Sequence, residues 1–75
     1  MTITTANAQA TADALNAAFA AGTLHTVNGR EVTSAYGTKV ATAWQNGTVS
    51  VTVKGRAKRT TGTVYVKAGQ DLHTA

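Results

Sequence analysis

The chain has 75 residues, no cysteine, no proline, three acids and four aromatics, and no long apolar run. Each shortage removes a class of explanation. Without cysteine there is no disulfide, no thiolate metal site and no thiol nucleophile, which suits a reducing compartment. The acids Asp13, Glu31 and Asp71 are scattered, so no carboxylate pair or acidic metal cluster can be assembled from neighbours. The histidines are His25 and His73, and neither Ser34 nor Ser50 has an evident base. The expectation is therefore a protein that is not an enzyme, with no catalytic residue, metal, cofactor or small-molecule substrate. No apolar stretch approaches the length that spans a bilayer. The alanine-rich N-terminus has no Lys or Arg ahead of it and is interrupted by Asn7, Gln9, Asp13 and Asn16, which argues against a secretory signal. A cytoplasmic protein with no membrane partner is expected. One domain spanning 1–75 is expected too, with a core small enough that oligomerisation is its remaining staple.

What is present is basic charge, unevenly placed. Residues 1–38 carry one base and two acids, residues 39–75 six bases and one acid, for a net charge of +4. Residues 32–70 contain no acid. Such asymmetry points to an anionic partner, although a charge of this size also serves solubility. "KGRAKR" (54–59) holds Lys54, Arg56, Lys58 and Arg59, more than half of the basic residues.

Residues 4–22 read as a helix, over about 5–21. Alanine is the strongest helix former, Thr4 or Thr5 can cap the start, and Gly22 suits the left-handed residue that ends a helix. Ala8, Ala12, Leu15 and Phe19, with Ala18 beside them, recur at helical spacing and form a narrow buried stripe. After Gly22 the period changes to two. "TVSVTV" (48–53) and "TVYV" (63–66) alternate branched and polar side chains as half-buried strands do. Asn28-Gly29 and Asn46-Gly47 are strong hairpin signals. For Asn46-Gly47 a two-residue turn separates the faces well: Trp44 meets Val49, Thr42 meets Val51 and Val40 meets Val53. This reading places Trp44 in the core. For the first pair a three-residue loop, Val27-Asn28-Gly29, is preferred, setting Leu24 against Val32 and His25 against Glu31. The last hairpin places Val64, Val66 and Gly62 on the inner face and Thr63, Tyr65 and Lys67 outside, with "KGRAKR" at its tip.

The fold class that follows is α+β: an N-terminal helix packed on one face of a four- to five-stranded antiparallel meander over about 23–68. A C-terminal tail over about 69–75, including His73, is expected to fray. The other sheet face is left bare, rich in threonine, with Lys39, Lys54, Lys67 and Tyr65 on it.

Two readings of the basic tip compete. In one, Lys54, Arg56, Lys58 and Arg59 contact the phosphates of nucleic acid, with Lys39 and Lys67 extending the patch and Tyr65 stacking or packing. In the other, the tip is a solvated loop whose charges keep a sheet edge from pairing with another chain. No glycine segment matches a phosphate-binding loop, since no helix follows one. "KGR" resembles the basic core of minor-groove hooks, but the proline of that motif is missing. In composition alone, the alanine-, threonine- and valine-rich basic chain resembles small accessory proteins of bacteriophages with GC-rich hosts. That likeness implies a role in binding nucleic acid, binding host protein or building a particle. The functional expectation is a small binding module that contacts nucleic acid. The alternative is an interaction or structural module that self-associates or docks on a protein through its sheet face or edge.

Overall fold

Polar residues and glycine bound the helix. In the computed structural model, which describes residues 1–34 and 37–75, the regular helix α1 spans Ala8–Ala20. A turn over residues 4–7 leads into it. There Thr4 Oγ1 accepts from the Asn7 amide (3.2 Å), and Asn7 Oδ1 accepts from the Thr4 amide (2.8 Å). This reciprocal pair closes the lead-in turn, and the Ala8 amide donates to Thr4 O (3.0 Å) as the turn runs into the helix. At the other end the Gly22 amide donates to Phe19 O and the Thr23 amide to Ala18 O, with Gly22 left-handed at φ +77°. That is a Schellman ending, for which glycine carries no steric penalty. Ala8, Thr11, Ala12 and Leu15 are buried, with Ala18 and Phe19 packed beside them.

The strands are β1 (Thr26–Val27), β2 (Arg30–Glu31), β3 (Ala41–Ala43), β4 (Val49–Lys54) and β5 (Thr61–Val66). They form a two-stranded sheet β1-β2 and a three-stranded antiparallel sheet β3-β4-β5, joined by a bridge between Val32 and Val53. The molecule is thus α+β, one helix on antiparallel sheet, with its strands divided between two sheets. The β4–β5 pairing keeps the facing that the alternation predicts: Val49 opposes Val66, Val51 opposes Val64, and Val53 opposes Gly62. Val49, Val51, Val53 and Val66 are essentially inaccessible to solvent. Each buried valine contributes about 1.5–3 kcal/mol.

Both Asn-Gly hairpins differ from expectation, in opposite senses. Thr26 opposes Glu31 and Val27 opposes Arg30, so Asn28-Gly29 is a two-residue turn. Both turn residues have positive φ (49° and 78°), as a type I′ turn requires. Glu31 therefore faces Thr26, not His25. The second hairpin pairs Ala41 with Val51 and Ala43 with Val49. Its loop has three residues, Gln45, Asn46 and Gly47. The Gly47 amide bonds Trp44 O (3.0 Å), and the Trp44 amide bonds Thr48 O (2.8 Å). One added loop residue exchanges the faces of β3. Ala41 turns inward, and Trp44 is 54% exposed rather than in the core.

The helix explains that exchange. Half of its contact stripe is alanine, and it packs against β3, where an inward indole would overfill the space. Asn16 then locks the arrangement. Its Oδ1 accepts from the Val40 and Ala41 amides (2.7 and 2.9 Å), and its Nδ2 donates to Ala41 O (3.0 Å). One side chain so satisfies both backbone groups of Ala41 on the open edge of β3, a place that would otherwise invite another strand.

The C-terminal segment, expected to fray, is docked. The Leu72 amide bonds Met1 O (2.7 Å), the Ile3 amide bonds Gln70 O (2.9 Å), and the Ala75 amide bonds Thr26 O (3.1 Å). Ile3 and Leu72 are both buried and complete the core. A single apolar residue in a polar stretch carries no periodicity, so neither was legible beforehand. No helix among the described residues is long and apolar enough to cross a membrane.

Candidate functional site

The β4–β5 tip is a four-residue loop on a narrow neck. The Gly55 amide donates to Thr60 O (2.9 Å), and Arg56, Ala57, Lys58 and Arg59 span the turn. Inside the loop, Thr60 donates to Ala57 O from its amide (3.2 Å) and its hydroxyl (2.6 Å). Gly55 is required at the neck, because a Cβ there would collide with the Thr60 hydroxyl. Arg59 adopts the left-handed conformation, φ +66°. For a non-glycine residue this costs roughly 1–2 kcal/mol. The loop accepts an arginine where a glycine or asparagine would be easier.

Arg56, Lys58 and Arg59 are all exposed, and a groove beside them is completed by Thr33, Ser34 and Thr61. Lys54 is at the base of the loop, where its Nζ lies 3.0 Å from Glu31 Oε1. Both partners are about 60% exposed, so the pair adds little stability, but it engages one of the tip's charges. Arg30 joins the cluster. Its guanidinium donates to Lys54 O (3.4 Å) and lies beside Gly62. Sequence reasoning placed Arg30 in the acidic half of the chain. The Val32–Val53 bridge carries it across 24 positions to the tip, and no local pattern announces such a contact.

The other residues suggested by the sequence divide. Lys39 directly precedes Val40, whose carbonyl accepts from Thr52 (2.8 Å), so it lies toward the tip end of β4. Tyr65 and Lys67 are at the opposite end. Tyr65 opposes Ser50, and Lys67 follows Val66, the partner of Val49. Four strand positions separate Tyr65 from Thr61, or about 13 Å. A second cluster forms around Tyr65. Trp44 Nε1 donates to Ser50 Oγ (3.0 Å), which orients the indole on the outer face. Trp44 and Tyr65 line one shallow depression with Asn46, Thr48 and Lys67. Sequence reasoning missed Trp44 because it assigned the wrong loop length at Asn46-Gly47. The site thus has a cationic tip and an aromatic shelf at two ends of one hairpin.

No protein-family model matches the chain, and neither a curated protein nor a solved structure matches it significantly.

Proposed function

We propose that this chain is a small binding module, without a catalytic role, that grips the phosphates of nucleic acid with the β4–β5 tip. The observation that carries this reading is the cluster itself. Arg56, Lys58 and Arg59 stand exposed on a tightly closed four-residue loop, with Arg30 and Lys54 at its base and Glu31 the one acid beside them. Cations presented on a β-ribbon meet phosphate oxygens without reading bases, so binding is electrostatic and nearly indifferent to sequence. Neutralising about three phosphates releases their counterions, so affinity falls roughly 40-fold between 50 and 200 mM salt. The test is a salt titration of binding to a random duplex. The variant carrying Arg56→Ala, Lys58→Ala and Arg59→Ala binds much more weakly, with a flattened salt slope. Absence of wild-type binding at low salt refutes the reading.

The second reading is self-association or docking on a protein through the sheet. It is favoured by the exposure of Trp44 and Tyr65 and by the outer edge of β5, which pairs with no strand among the described residues. It requires a mass that rises with concentration, is insensitive to salt and is lost on Tyr65→Glu.

A further inference from the structure

We infer that the nucleic acid is single-stranded, with its unpaired bases stacking on the Trp44–Tyr65 shelf while its backbone runs along β4–β5 to the cationic tip. This rests on the phosphate-grip reading and adds the strand type and a second contact region. Three observations carry it.

The first is the shelf. Trp44 is 54% and Tyr65 60% exposed on the same sheet face, where an apolar side chain gains nothing from water. An aromatic face in that position suits the π-face of any base, and such stacking tolerates sequence. The second is orientation. The hydrogen bond from Trp44 Nε1 to Ser50 Oγ uses the indole's single donor and holds the ring, and Ser50 is the cross-strand partner of Tyr65. A ring already held loses little freedom when a base arrives. The third is charge. Lys67 lines the shelf, the tip cations lie at the other end of the hairpin, and residues 32–70 supply no acid to repel a polyanion. The ~13 Å between Tyr65 and Thr61 along β5 is within the reach of one short single strand. Thr52, Thr63 and Thr61 cover that path with small hydroxyl side chains and no charge. A duplex keeps its bases stacked inside, so it reaches the tip but cannot use the shelf.

Trp44 is the chain's only tryptophan, so its fluorescence reports on the shelf alone. The experiment titrates the intact protein with a short oligothymidine, and separately with a duplex, following both emission and anisotropy of the labelled nucleic acid. The single strand quenches Trp44, whereas the duplex binds without quenching. Trp44→Ala and Tyr65→Ala each weaken single-strand binding about tenfold or more, while Tyr65→Phe, which keeps the ring, restores it. Duplex binding is unchanged in all three. The inference is overturned, with the tip reading intact, if the oligothymidine binds without quenching and both alanine variants bind it like wild type. If neither nucleic acid binds at low salt, the tip reading falls and the inference with it. Quenching or burial of Trp44 that tracks protein concentration alone assigns the shelf to a second copy of the chain and also overturns it.

Discussion

The same dipeptide turns the chain twice and does so differently. At Asn28-Gly29 both residues are left-handed and the loop is two residues long; at Asn46-Gly47 only the glycine is left-handed and the loop is three. The neighbours make the difference. Asn28 is held by the C-terminal segment, its Oδ1 accepting from the His73 amide (2.7 Å) and its Nδ2 donating to Asp71 O (3.3 Å). Asn46 instead turns its Oδ1 back to the Thr48 amide (3.1 Å), and Gly47 is wedged against Thr5 and Ala68. An Asn-Gly pair therefore announces a hairpin reliably. Which of two loop lengths it adopts depends on what packs against it, and that choice decides which side chains face water.

Three substitutions and one deletion probe this contrast. The largest effect is expected from Leu72→Ala, which removes the buried residue that anchors the segment holding the first turn. It costs about 2–5 kcal/mol in urea denaturation. A loss below 1 kcal/mol would mean the segment contributes little to the fold. Next come the two turn glycines, which have nearly equal φ (84° and 78°) and differ in the space around them. A Cβ at position 47 would lie 2.9 Å from Thr5 Cγ2 and 3.2 Å from its Cα, whereas at 29 it meets nothing within 4 Å. Gly29→Ala should cost roughly 1–2 kcal/mol for the backbone alone. Gly47→Ala should cost about 2–4 kcal/mol, because crowding adds to the same backbone term. Equal losses would show that the wedge at Gly47 yields easily. The smallest effect is expected on deleting Gln45. That converts the second loop to two residues while keeping Trp44 opposite Thr48, so stability should change by about 1 kcal/mol or less. Trp44 emission should stay at the wavelength of an exposed indole; a blue shift would show that loop length does not hold the register.

Much of the fold was legible where a pattern was dense. The alanine run with its glycine ending marked α1, and strict alternation marked β4 and β5 with their facing. Both are local: helix and strand periods are written into neighbouring residues. The four cations of the tip were equally plain, because a charge run between alternating strands falls on the connection. The parts that were missed depend on distance. Arg30 reaches the tip through a strand pairing far away in the chain, and Trp44 was misplaced by a one-residue difference in loop length. Leu72 and Ile3 are isolated apolar residues whose burial comes from pairing between opposite ends of the chain.

The sequence by itself determined the α+β class, the helix and its glycine ending, the β4–β5 hairpin and the cationic loop, because each follows from short-range propensity and alternation. Only the tertiary structure decided the facing of β3, the exposure of Trp44, the recruitment of Arg30 and the docking of residues 69–75. Those outcomes depend on how closely an alanine-faced helix approaches a sheet and on which open strand edges find partners. Close packing and backbone pairing are properties of surfaces that meet in space, and no local stretch of residues contains both surfaces.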